Sequence, residues 1–167
     1  NATIIDKLIA RSAARRWKSV NRLAVSEILH LVADERTSEI ARGKIVPRLL
    51  PLASRDADPD VCIAQLEHLR DQVMYERSRL AETLSRWAQF LISSGDNETI
   101  MEHIGDITWQ LDLVRDAALE AELQIDESSF DALNVQISIC NDAIVALECE
   151  LRDRLVEDTR LRMRDAR

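Results

Sequence analysis

Residues 98–125 read ETIMEHIGDITWQLDLVRDAALEAELQI, and the spacing of their apolar side chains indicates a helix. Those side chains recur at alternating intervals of four and three residues: Ile100, Ile104, Ile107, Leu111, Val114, Ala118, Ala121 and Ile125. This alternation places them along one side of an α-helix. Because the stripe covers about two of every seven positions, it is typical of a coiled-coil seam. Gly105 lies inside this helix and indicates a close helix crossing, since glycine there costs about 1 kcal/mol relative to alanine.

A similar stripe precedes this segment. Asp58 and Pro59 read as an N-cap followed by proline at the first helical position. Gly95 is expected to end that helix, and Asp96 or Asn97 to cap the next one. The apolar residues between these boundaries are Leu66, Leu69, Val73, Leu80, Leu84, Trp87 and Leu91. Two such helices joined by a short loop predict an antiparallel hairpin over residues 59–124.

A third stripe follows the hairpin and is out of phase with residues 98–125. Its members are Phe130, Leu133, Ile137, Cys140, Ile144, Leu147 and Leu151. The change of phase falls at residues 126–129, which form either a helix break capped by Ser128 or Ser129, or a stutter within one helix. We favour the break, because Asp and Ser suit a cap better than a helix interior.

The composition agrees with a fold built from long helices. Among 167 residues there are three Gly, three Pro and 4% aromatic residues, which leaves few turns. Sheets and glycine-rich nucleotide-binding loops are therefore disfavoured. We predict an all-α fold: an elongated helical bundle with an antiparallel coiled-coil hairpin and a third long helix over residues 127–165.

Three regions are predicted along the chain. Residues 1–53 form a basic amphipathic helical region, residues 54–58 a linker, and residues 59–167 the coiled-coil-like bundle. The first 58 residues hold 11 Lys and Arg against 7 Asp and Glu, whereas residues 93–151 hold one against 14. The net charge of −8 disfavours nucleic acid as a partner. No apolar run is long enough to predict a membrane span.

The N-terminal helix supplies the candidate partner-binding residues: Arg11, Arg15, Arg16, Trp17, Lys18 and Arg22. Three interpretations stay open, and the last of them is that the basic side binds anionic lipid or nucleic acid. In the first, the apolar side, which includes Val20 and Ala24, packs into the protein's own core, and the basic side lies near its acidic hairpin. In the second, residues 4–31 form a regulatory segment that an acidic partner captures in a groove.

Two resemblances bear on these interpretations. The run Ala14-Arg15-Arg16-Trp17-Lys18 resembles the calmodulin-binding helix of myosin light chain kinases, which implies capture by a calmodulin-like partner. The hairpin, with Leu84, Gly95-Asp96-Asn97 and Asp116-Ala117, is similar to the regulatory antiparallel coiled coil in the stalks of chromokinesin-type motors. That second likeness implies an autoinhibitory stalk element.

No residue pattern predicts catalysis, and we expect neither an enzyme nor a bound metal or cofactor. The three histidines lie more than 30 residues apart, and Cys62, Cys140 and Cys149 form no metal-binding pair. An odd number of cysteines favours an intracellular, cytoplasmic location. The leading hypothesis is a non-enzymatic structural or scaffold module that binds protein partners through long helical surfaces, with homo-oligomers forming through the heptad seams.

Overall fold

A computed structural model describes residues 18–32, 58–93 and 97–165, and these residues form four helices without a strand. Residues 18–32 belong to helix α1. Helix α2 spans Pro59–Ser93, α3 spans Glu98–Leu123 and α4 spans Glu127–Asp165. At 1.5 Å per residue, α2 is about 52 Å long and α4 about 58 Å. The predicted all-α bundle, with its hairpin and third long helix, is confirmed, while coiled-coil packing stays a prediction.

Helices α2 and α3 are antiparallel. Arg70 near the start of α2 pairs with Glu122 near the end of α3 at 2.6 Å, and Arg77 pairs with Asp112 at 2.9 Å. Helix α4 then returns antiparallel to α3, because Arg154 donates a hydrogen bond to Asn97, at the opposite end of the hairpin from the turn into α4.

The three predicted stripes form the core. The stripe on α3 is buried from Ile100 to Ala121, whereas Ile125 lies beyond the helix and is 41% exposed. All seven predicted residues of α4 are buried, from Phe130 to Leu151. On α2, Leu84 and Trp87 are only partly buried.

The helix ends follow local signals. Asp58 accepts a hydrogen bond from the Asp60 amide at 3.1 Å and so caps α2 as predicted. The predicted break at residues 126–129 is confirmed, but the predicted serine caps are wrong. Asp126 is the cap, because its carboxylate accepts a 2.7 Å bond from the amide of Ser129. That backbone hydrogen bond lowers the pKa of Asp126 below its ordinary value.

Two other expectations are not confirmed: one is wrong, and the other concerns residues that lie mostly outside the described ones. A close helix crossing at Gly105 is wrong: a Cβ built there would have no atom within 4 Å, and the residue is exposed. Of the predicted linker, residues 54–57 lie outside the described residues.

Candidate interaction surfaces

Of the predicted partner-binding residues, the structure describes two. Lys18 is exposed, and Arg22 forms an ion pair with Asp158 of α4 at 3.2 Å. The other four lie outside the described residues: Arg11, Arg15, Arg16 and Trp17. Arg22 therefore contacts the protein itself, although its partner lies in α4 beyond the acidic segment of residues 93–151.

The apolar side of α1 packs into the common core. Ala24, Val25, Ile28 and Val32 are at most 5% exposed, whereas Val20, expected on the same side, is 36% exposed. Burial of this kind stabilises α1 where it lies. It supports the self-packing interpretation, and capture of residues 4–31 by an acidic partner stays a prediction.

Glu27 anchors α1 on α2, a role that the sequence analysis did not assign to it. The indole Nε1 of Trp87 donates to Glu27 at 2.7 Å, and Arg86 pairs with the same carboxylate. A buried indole N–H usually needs a hydrogen-bond acceptor. The carboxylate of Glu27 supplies one, which allows Trp87 to be partly buried where α1 meets α2.

A buried polar cluster joins α1, α3 and α4. Asn97 is fully buried, and its side chain donates to Asn21 of α1 and accepts from Arg154 of α4, each at 3.0 Å. Arg154 also donates to Glu150 at 2.8 Å. Asn97 was predicted only as a cap, yet its side chain makes no cap hydrogen bond. It bonds across helices instead.

Glu76 is a buried carboxylate within the apolar core. It is 4% exposed, and its Oε2 accepts from Arg79 at 3.0 Å, while Oε1 has no hydrogen-bond partner among the described residues. A cavity of about 20 Å³ adjoins it, lined by Leu31, Val32, Leu80, Ile107, Leu111 and Ile144. That volume holds one water molecule, so the cavity is too small for a substrate.

The outer face of α3 combines acidic and apolar side chains. Trp109 is 63% exposed and Leu123 is 83% exposed. On a helical projection, four exposed carboxylates beyond the first turn of α3 lie with them in an arc of about 100°: Glu102, Asp106, Asp116 and Glu120. We call these six residues the α3 outer face. Trp109 was not among the predicted partner-binding residues, although a tryptophan outside the apolar stripe indicates an exposed aromatic residue.

One arginine lies on α3, and its charge is already matched. Arg115 pairs with Asp112 at 3.1 Å and with Asp116 at 2.7 Å. The hydrogen bond from Arg115 to Asp116 is the main cause of its raised pKa. Helix α3 carries seven carboxylates and one cation, and two of the carboxylates, Asp112 and Glu122, also pair with Arg77 and Arg70 of α2. Acids outnumber these cations, so the net charge of the helix is negative.

The cysteines and histidines form no cluster among the described residues. Cys62 and Cys140 are buried, Cys149 is exposed, and all three are free. Burial raises the pKa of the Cys140 thiol to about 12, which keeps it protonated and unreactive. Within residues 18–32, 58–93 and 97–165, no three His, Cys, Asp or Glu side chains could hold a metal ion. The expectations of no metal and no enzyme stay predictions.

Helix α4 has one further property that the sequence analysis did not find. By length and composition, Glu127–Leu161 could cross a membrane, which holds for no other helix among the described residues. The core helix of a soluble bundle can have the same composition, and the apolar stripe of α4 is buried against α3. The absence of a membrane span stays a prediction.

Comparison with known proteins gives no relative from which a function could be transferred. No family model, no curated protein and no solved structure matches the chain.

Proposed function

We propose that this protein is a non-enzymatic interaction module whose α3 outer face binds a basic amphipathic helix of a partner protein. The observation that carries the proposal is the exposure of Trp109 within a row of carboxylates. Aromatic residues are enriched at protein interfaces and often supply most of the binding free energy. An exposed tryptophan on a helix whose core stripe is already buried thus supports a docking role.

The charge of this face defines the chemistry of the partner. The four carboxylates attract lysine and arginine, and they accelerate association with a basic segment. Gly105 lies one turn before Trp109 and has open space beside it, so a partner side chain can approach the backbone there. A partner helix with apolar residues on one side and basic residues at its flanks would match both features.

A designed peptide tests this proposal. The probe is an 18-residue amphipathic helix of Leu and Lys, and a second peptide with Glu in place of Lys controls for apolar contact alone. Titration calorimetry with the full chain should detect binding of the Lys peptide, weakened as the salt concentration rises. Trp109→Ala should weaken it about 30-fold, the size of an interface hot spot.

Matched variants separate the proposed surface from general negative charge. Asp106→Lys and Asp116→Lys should each weaken binding, whereas Glu67→Lys, at an exposed site on α2, should leave it within about twofold. Equal affinity of the wild type and Trp109→Ala, or equal affinity for both peptides, would contradict the proposal.

A further inference from the structure

Helix α4 carries a second apolar row that faces away from the core. Its positions alternate at intervals of four and three residues, and every one of them is exposed: Val135, Ile139, Asp142, Ala146, Cys149, Asp153, Val156, Arg160 and Met163. We call this set the α4 outer row. Val135 is 60% exposed and Met163 is 68% exposed. One helix therefore has two seams, of which the bundle uses one.

We propose that the α4 outer row binds the same row of a second copy of this chain, with the two α4 helices antiparallel. The distribution of charge along α4 selects this partner and this direction. Residues 127–151 contain five Asp and Glu and no Lys or Arg, whereas residues 152–165 contain five Arg and four Asp and Glu. An antiparallel pair places the acidic half against the half that holds the arginines. A parallel pair would place like charges at equal heights.

One register satisfies the individual positions. With Asp142 opposite Arg160 of the second copy, Ile139 lies opposite Met163 and Ala146 opposite Val156. Each pair occurs twice by symmetry. Two of the four pairs match apolar side chains and one matches acid with base, while Cys149 lies opposite Asp153. The seam from residue 139 to residue 163 is then about 36 Å long. A shift of one heptad that sets Ile139 against Val156 would place Asp142 opposite Asp153, which is unfavourable.

Charge reversal tests both the surface and the direction. Sedimentation equilibrium of the full chain should show a dimer that dissociates on dilution. Asp142→Arg sets arginine against arginine, and Arg160→Asp sets acid against acid, so each variant alone should dimerise at least about tenfold more weakly. A mixture of the two variants pairs opposite charges at both positions and should restore the dimer.

The controls keep the proposal open to refutation. At a concentration where the wild type is monomeric, circular dichroism should show the same helix content and melting temperature in both variants, since residues 142 and 160 are exposed. Glu67→Arg on α2 should dimerise like the wild type. A wild-type monomer at all concentrations up to about 1 mM would overturn the proposal. So would single variants that dimerise like the wild type.

This proposal is independent of the peptide-binding role of α3. Trp109→Ala should leave the dimer intact, and Asp142→Arg should leave peptide binding intact, so the failure of one proposal does not imply the failure of the other.

Discussion

Replacing Glu76 by methionine should stabilise the protein. Glu76 is 4% exposed among apolar side chains, and within the part of the chain that the structure describes its Oε1 has no hydrogen-bond partner. The adjoining cavity has room for at most one water molecule to serve it. Removing a buried carboxylate in favour of an apolar side chain of similar volume is often stabilising. Methionine is unbranched and fills irregular space well.

The contacts of Glu76 set the size of the effect. An unsatisfied buried polar atom costs about 1–3 kcal/mol. The substitution also removes the ion pair with Arg79, which is worth about 0–1 kcal/mol because the Arg79 side chain is 25% exposed. We therefore expect Glu76→Met to raise the free energy of unfolding by about 1–2 kcal/mol, which corresponds to a melting temperature higher by about 2–8 °C.

Urea unfolding followed by circular dichroism measures this difference. Glu82→Met is the matched control, because Glu82 is 75% exposed and pairs with Arg86 one turn later. The control should change the free energy of unfolding by no more than about 0.5 kcal/mol. If Glu76→Met unfolds at lower urea than the wild type, the Arg79 pair outweighs the burial of the carboxylate and the reasoning fails.

Three further changes test other parts of the fold. Ile28→Ala should lower the free energy of unfolding by about 2–5 kcal/mol in urea titrations, against about 0.5 kcal/mol for the exposed Leu23→Ala; equal effects would mean that α1 is not part of the core. Gly105→Ala should raise the same quantity by about 1 kcal/mol, since the added Cβ meets open space; a lower value would indicate a hidden contact. The folded-state pKa of Asp126 is lowered from 3.8, so its stabilising effect is present above that pH and is lost as the pH falls through the lowered value. Asp126→Asn should therefore melt below the wild type at pH 7 and converge with it near pH 2; a constant difference would contradict this.

Local signals in the sequence predict the helices well. The stripe from Ile100 to Ala121 is buried as its spacing indicates. The cap at Asp58 and the helix break near residue 126 coincide with residues that favour helix ends. These features depend on residues within one or two turns of each other. For that reason they can be read without knowledge of the tertiary structure.

Features that depend on distant residues were not predictable in the same way. Glu76 is one of the six residues between Val73 and Leu80, and the apolar pattern gives no sign that its carboxylate is buried. The residue types do not select Asp126 over Ser128 or Ser129 as the cap, because Asp and Ser both cap helices well. Glycine inside a helix indicates either a crossing or an exposed site, and Gly105 is the latter.

Only some features of the candidate surfaces could be predicted from the sequence. The excess of Asp and Glu on α3 can be counted in the sequence. The outward direction of Trp109 depends on which side of α3 the bundle buries. The packing of α1 needed the positions of Asn97, Trp87 and Asp158, which lie 60 residues or more from their partners in the chain. No local pattern in α1 specifies those pairings.

The cluster around Asn97 has a consequence for how the helices align along their axes. A regular heptad seam looks nearly the same after a shift of seven residues, so apolar contacts alone permit neighbouring helices to slide. Asn97 lies at one height only, and there it meets Asn21 and Arg154. A slipped alignment would bury these groups without partners, at a cost of about 1–3 kcal/mol for each. The Asn97 side chain thus favours one alignment of the three helices over alignments shifted by seven residues, as a buried polar residue does within a coiled coil.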